Sequence, residues 1–362
     1  MRDKLGIAIV GCGAISYANA EAIRKSSNAR LSYAMDLNLA SAKAFGEKYS
    51  IPFTDRLEKV LSAPEVDAVF ICTPHYLHAP IAEQAAEAGK HVIVEKPMGT
   101  NLADSRRIVE ACRKSGVKLS VCYCMRYSRK IQFAREFINA GGLGNIIGMQ
   151  ITMLRDQSER YLGHDIWQEG SINWHGVKAK SGGGLFIDNI AHYLDYYLYI
   201  TGLKIDSIYC RAGAYLLPTE VEDNLFALFN CDNNAIGTVT AGFGVRGSGQ
   251  EQNNRIGNAL QRIWGEDGHM LLIPRFEFFS MRRIDNFEPN RWHAPKPSRI
   301  YNSLGTGIAE RTEFVERFAL AVIEDRDPDI SGEFGVRVMS VIDAAYRSSL
   351  SGSEEKVEFP QP

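Results

Sequence analysis

Three short motifs hold the residue types that could do chemistry in this chain. The first is Gly11-Cys12-Gly13-Ala14-Ile15-Ser16, set directly behind the apolar run 5–10 and opening a helical pattern. It has the form G-x-G-x-x-small, with Ser16 in the third slot. Gly11 permits a tight turn, Gly13 lets backbone come close to a pyrophosphate, and a small third residue lets the helix pack on the strand. A helix that starts at Ala14 and Ile15 points free N–H groups and its positive end at such a phosphate. Asp36 closes a second apolar strand about 20 residues further on, where a carboxylate accepts the ribose hydroxyls of a dinucleotide. It would repel a 2′-phosphate, and its neighbours Leu37 and Asn38 bring no arginine to hold one, so NAD is favoured over NADP.

The second motif is Glu95-Lys96-Pro97, behind the apolar run 91–94. The carboxyl ends of strands in a doubly wound sheet face the ligand crevice. A lysine there could donate a hydrogen bond to a reacting oxygen or take its proton; a surface lysine paired with Glu95 is the plainer reading. The third motif follows Gly182-Gly183-Gly184. If residues 185–195 are helical, Asp188, His192 and Asp195 fall at i, i+4 and i+7 on one face. An aspartate one turn before a histidine can orient its ring, and the imidazole could take a proton near neutral pH. Two other readings stay open, a metal site built from the three side chains and a solvated or core histidine.

The elements that must position these residues divide the chain in two. In the first third, apolar runs at 5–10, 29–35, 66–72, 91–94 and 118–122 alternate with helical spacing at 17–25, 39–49, 80–88 and 102–115. That alternation predicts parallel βαβ units in a doubly wound sheet. Asn101 is the predicted N-cap of the last of these helices. After a helix at 133–139 and the glycine-rich break at 141–144, strands follow one another at 146–154, 205–214, 225–230, 235–241, 260–264 and 270–273, with Gly265-Glu266-Asp267-Gly268 as a hairpin turn. Consecutive strands predict antiparallel pairing in an α+β second domain. Helical spacing returns at 308–325 and 334–349.

At roughly 150 residues per domain, 362 residues predict two domains. Lysine and arginine (41) nearly balance aspartate and glutamate (43), a net charge of −2 that argues against a nucleic-acid partner. A hydrophobic content of 45% with 23% charged residues is the balance of a globular chain. No apolar run approaches the roughly 18 residues of a membrane span, and the amino terminus reads as a strand, not a signal peptide. The seven cysteines are scattered through apolar segments, and Cys122-x-Cys124 is too close for the usual metal or redox spacing. They are expected to be reduced core residues of a cytoplasmic protein.

Taken together and in this order, the motifs resemble the Gfo/Idh/MocA family, named for glucose-fructose oxidoreductase, inositol dehydrogenase and rhizopine catabolism. The resemblance is carried by the glycine run 11–16, Cys72-Thr73-Pro74 with His78, Glu95-Lys96-Pro97, and the glycines leading into Asp188 and His192. It implies a Rossmann domain over residues 1–125 that binds NAD through Gly11, Gly13, Ala14, Ile15, Asp36, Thr73, Pro74, His78, Glu95 and Lys96. It implies a second domain over 126–362 with a large, mostly antiparallel open sheet. It also implies NAD(P)-dependent oxidation or reduction of a sugar, polyol or glycoside carbon, with Lys96 and His192 as acid/base groups, Asp188 as partner of His192, and a cis peptide before Pro97. Arg126-Tyr127 matches an arginine–aromatic pair of the family, whereas His75 stands where the family often has asparagine.

Residues 157–181 carry no clear periodicity, and a long irregular segment inside a compact domain is usually functional. Tyr161, Trp167, Trp174 and His175 there combine aromatic faces with hydrogen-bonding groups, which suits a sugar ring; core or interface anchoring is the alternative for the tryptophans. Phe287–Tyr301, with Arg291, Trp292 and His293, is a second polar-aromatic stretch. The expected function is hydride transfer between a ring carbon, C3 in the preferred reading, and NAD, with Lys96, Arg126, Tyr161, Trp167, Trp174, His175, Asp188 and His192 at the substrate. The alternatives are an inositol or polyol dehydrogenase, a glycosidase that oxidises transiently and re-reduces with the same bound NAD, and a non-catalytic NAD(H)-binding regulator. No metal and no membrane partner are expected. The strand at 235–241, small and apolar residues interleaved with threonine, predicts a homo-oligomer paired through the open sheet face.

Overall fold

The apolar run 5–10 forms β1 (Leu5–Val10), every residue of which is buried, as a strand covered on both faces requires. The computed structural model describes residues 4–155, 172–243, 259–273, 276–294 and 307–359. They form two compact units, Met1–Tyr127 with Gly305–Arg337, and Ser128–Leu304 with Val338–Pro362. A single cut near residue 125 therefore does not describe the chain. The helix Ile308–Ile323 returns to the first unit because Phe314, Val315, Phe318 and Ala319 bury one face of it there. Phe314 packs against Phe70 and Tyr127, and Glu316 accepts hydrogen bonds from the backbone N–H groups of Ser27 and Asn28.

In the first unit β1 lies in a six-stranded sheet with β2 (Ala29–Met35), β3 (Phe53–Thr54), β4 (Ala68–Ile71), β5 (His91–Val94) and β6 (Leu119–Val121), in the order β3-β2-β1-β4-β5-β6. All pairings are parallel. The order reverses beside β1, so α1 (Ala14–Lys25) and the ends of β1 and β4 meet at a switch point, where doubly wound sheets bind ligands. Asn101 caps the helix Leu102–Lys114 by accepting from the N–H of Asp104.

The second unit holds a nine-stranded sheet of β7 (Ile146–Leu154), β8 (Ile205–Gly213), β9 (Asn224–Cys231), β10 (Ile236–Gly242), β11 (Ala259–Gly265), β12 (Gly268–Ile273), β13 (Glu277–Ser280), β14 (Arg291–His293) and β15 (Glu355–Lys356), in the order β14-β13-β12-β11-β7-β10-β9-β8-β15. Within the runs β8–β9–β10 and β11–β12–β13–β14 successive strands pair antiparallel, and Gly265 faces Gly268 across the expected hairpin. Among the described residues the parallel pairing in this sheet is β10 on β7. The chain leaves β7, passes through the helix Ala191–Thr201, and returns by the meander β8–β9–β10, which brings β10 beside β7 in the same direction.

One face of this sheet is covered: the helix Ala191–Thr201 lies on it, and Tyr197 donates to the Gln150 carbonyl at 2.8 Å. Among the described residues the other face is uncovered. Along β9 the inward residues Leu225, Ala227, Phe229 and Cys231 are buried, while Phe226 and Leu228 are 61% and 57% exposed. Phe226 faces Thr240, Leu228 faces Thr238 and exposed Ile236 faces Asn230, so apolar and threonine side chains share one surface. No helix among the described residues is long and apolar enough to cross a membrane.

Candidate active site

In the first unit the glycine run makes the turn from β1 into α1. Gly11 has φ +95°, and a Cβ there would lie 2.8 Å from the Cys72 carbonyl carbon, so glycine is required on both counts. The turn is tied to the end of β2: Asp36 accepts from the Cys12 N–H with one carboxylate oxygen and from the Asn38 N–H with the other, both at 2.8 Å. Ser16 is fully buried and its hydroxyl donates to the Gly13 carbonyl, which explains how serine serves in the third slot. A Cβ at Gly13 would meet nothing within 4 Å, and no side chain caps α1. The helix N-terminus, with Ala14 and Ile15 in its first turn, thus faces clear space. Thr73 Oγ1, behind β4 beside Pro74, is buried without a hydrogen-bond partner among the described residues. Open backbone at a helix N-terminus, a carboxylate at the ribose position and an orphaned hydroxyl are what a dinucleotide would use.

Two of the residues expected at the cofactor have buried protein partners. Glu95 is buried and bonds Arg311 and Asn19, at 2.8 and 3.0 Å. Arg311 also reaches Asn19 Oδ1 and Cys122 Sγ, so one buried guanidinium joins the ends of β5 and β6 to α1. Burial alone would raise the Glu95 carboxyl, but Arg311, Asn19 and Lys96 outweigh it and hold it below its usual value. His78 is fully buried, its ring nitrogens 2.9 Å from the carbonyl oxygens of Pro97 and Thr73, and so ties together the loops behind β4 and β5. Burial lowers its pKa against the pull of those two carbonyls. Lys96 itself is half-buried at the end of β5, followed by a cis peptide to Pro97. Arg126, expected at the substrate, is 2% exposed and stacks on the Phe334 ring at 4.3 Å.

In the second unit residues 185–195 are helical, as expected, but the helix is not a regular α-helix throughout. Phe186–Ile190 forms a wide π-type turn, and the α-helix begins at Ala191. Such turns are frequent at functional sites. Asp188 and Asp195 are each 1% exposed, His192 is half-buried, and the His192 Nδ1 atom is itself shielded from solvent. Among the described residues no group of three or more metal-ligating side chains is assembled. Trp174 and His175 are half-buried and stack on each other at 3.7 Å. Tyr161 and Trp167 lie outside the described residues, as does part of the stretch 287–301. Sequence reasoning missed Glu222, whose carboxylate accepts from the N–H groups of Gly184 and Phe186 at the start of the wide turn. Its partners lie 36 and 38 residues away, beyond any local pattern.

Residues 5–123 match the model of an oxidoreductase family with an NAD-binding Rossmann fold, GFO_IDH_MocA, and residues 131–270 match the GFO/IDH/MocA C-terminal domain. The chain is 24% identical to the uncharacterized oxidoreductase YrbE of Bacillus subtilis, over 100% of this chain and 99% of that one. It is 25% identical to the 2,7-anhydro-N-acetylneuraminate hydratase of Escherichia coli, over 83% of this chain and 82% of the relative. Levoglucosan dehydrogenase, solved with NADH and levoglucosan, shares the fold with a TM-score of 0.84 at 22% identity, covering 99% of this chain and 100% of that one.

The Asp36 carboxylate, held in place by two backbone N–H groups, makes a 2′-phosphate unwelcome. NADH is expected to bind at least about tenfold more tightly than NADPH, about 1.4 kcal/mol, in a fluorescence titration. Equal or tighter NADPH binding contradicts this.

Proposed function

The chain belongs to the GFO/IDH/MocA oxidoreductase family, and from that premise we propose that it is an NAD-dependent dehydrogenase acting on a ring carbon of a sugar or glycoside. The observation that carries the reading is the half-buried His192 in the first turn of the helix Ala191–Thr201, four residues after buried Asp188 on the wide turn that leads into it. Bound NAD supplies the hydride acceptor. His192 takes the proton of the substrate hydroxyl, and Asp188 orients the imidazole. Lys96 donates a hydrogen bond to the same oxygen and stabilises the charge that develops on it. Asp36, Thr73 and the N-terminus of α1 hold the dinucleotide; Glu95 and His78 hold the loops that present Lys96 and Thr73. The stacked Trp174 and His175, with Tyr161 and Trp167 from the same segment, offer aromatic faces to a neutral polyhydroxylated ring, and C3 is the preferred carbon.

A second reading is favoured by the relative named as a hydratase of an anhydro sugar. In it the same residues oxidise the ring transiently, eliminate a substituent, and return the hydride, so that no net NADH accumulates.

The test is to incubate the protein with NAD and a panel of free sugars, inositols and aryl glycosides, following NADH absorbance and aglycone release together. NADH formation is expected, and Lys96→Ala and His192→Ala should each lower kcat by about 10²–10⁴-fold with NADH affinity nearly unchanged. Asp188→Asn should cost less than loss of His192, since the base remains. Aglycone release without NADH supports the second reading. NADH binding with no turnover of any panel member supports a regulator.

We further propose that the open sheet face pairs with a second copy of the chain, since Phe226, Leu228 and Ile236 form an exposed apolar patch of the kind that marks association surfaces. Light scattering at micromolar concentration is expected to give a dimer or larger, and Leu228→Asp a smaller species. A monomeric wild-type protein overturns the pairing.

A further inference from the structure

Glu222 lies just ahead of β9 and is buried, yet no step of the proposed reaction uses it. One of its carboxylate oxygens accepts from the Gly184 N–H at 2.8 Å; the other accepts from the Phe186 N–H at 3.0 Å and from the Tyr346 hydroxyl at 2.8 Å. Its backbone carbonyl accepts from the Leu185 N–H at 3.2 Å. Three consecutive N–H groups at the entry to the wide turn are therefore satisfied by a single residue. Helix starts leave such groups without intrahelical partners, and a carboxylate there also opposes the positive end of the helix dipole.

The glycine run is what lets this residue in. A Cβ on Gly184 would lie 1.9 Å from the Glu222 carbonyl oxygen, and one on Gly183 would lie 1.9 Å from the Tyr346 hydroxyl. The glycines preceding Asp188 thus serve a close approach by Glu222 and Tyr346. The neighbouring residues extend the clamp. Glu220 accepts from the Lys178 N–H and donates its own N–H to Gly176, and Asp223 gathers the N–H groups of Tyr215, Leu216 and Leu217. Segment 215–223 is stapled to itself and to the strip of chain from Gly176 to Phe186.

From this geometry we infer that Glu222 is a positioning residue for the Asp188–His192 pair. It sets where the wide turn begins, two residues before Asp188, and so sets the direction from which His192 meets the substrate oxygen. Tyr346 holds the carboxylate in the orientation that reaches both Gly184 and Phe186. The inference rests on the reading of His192 as the base, and its test includes a readout that needs no substrate.

The variants are Glu222→Gln, which removes one acceptor and the charge but keeps the shape, and Tyr346→Phe, which removes a single hydroxyl. The ring ¹⁵N–¹H signals of His192 are assigned by their loss in His192→Asn and followed in ¹⁵N-histidine-labelled protein, in parallel with NADH affinity and, on whichever panel sugar the wild type turns over, kcat and KM. Both variants are expected to shift or split the His192 signals, to keep NADH affinity within about twofold, and to lower kcat by about tenfold or more in Glu222→Gln and by a smaller factor in Tyr346→Phe, with KM little changed. Wild-type His192 signals in both variants overturn the inference. So does a loss of NADH affinity in step with kcat, which would mark general destabilisation. If no panel sugar is turned over by the wild type, the proposed reaction fails, and the His192 signals still decide the role of Glu222.

Discussion

The buried ion pair between Glu95 and Arg311 is the interaction on which the first unit's site depends. Taking two charges out of water costs several kcal/mol per ion, so such a pair adds little stability over an apolar contact, but removal of one partner costs about 3–5 kcal/mol. Its consequence here is geometric. Arg311, 189 to 292 positions further along the chain than its partners, bonds Glu95 at the end of β5, Asn19 on α1 and Cys122 behind β6. Asn19 in turn bonds Cys72 behind β4. Three strand ends and two helices are locked at the edge where the cofactor loops emerge, with His78 joining the loops themselves through Thr73 and Pro97.

The second unit solves the matching problem with backbone hydrogen bonds. Its sheet offers one covered face to the helix that continues from the wide turn, and Tyr197 pins that helix to β7 through the Gln150 carbonyl. The start of the wide turn is pinned independently by Glu222. His192 sits between these two anchors, on a segment whose backbone is constrained at both ends while its ring remains partly accessible. Both units therefore set a half-buried reactive side chain beside a segment held by a buried, bonded carboxylate, Glu95 in one and Glu222 in the other.

What was legible in the sequence was what is local. The glycine run, Asp36 and the hairpin at Gly265–Gly268 act through neighbours or through a single βαβ unit, and their residue types state their geometry. What was not legible depends on distant partners or on a shift of one residue in a turn. Nothing near Glu95 in the sequence announces Arg311. Only tertiary packing shows that the His78 ring meets two carbonyls and that Arg126 stacks on the Phe334 ring. The spacing of Asp188, His192 and Asp195 satisfies an α-helix, so the wide turn over Phe186–Ile190 could not be told from it. The parallel pairing of β7 with β10 escaped for the same reason, since runs of strands state their order but not which strand returns beside which.

The central claim is that one ion pair holds the strand-end loops as a set. The most direct measurement is backbone amide hydrogen exchange in Arg311→Met beside the wild type. The account predicts that protection falls by more than about tenfold at residues 71–78 and 94–98, whereas the amides of β1 and β2 lose distinctly less. Equal loss across the whole sheet, or unchanged protection behind β4 and β5, would contradict it.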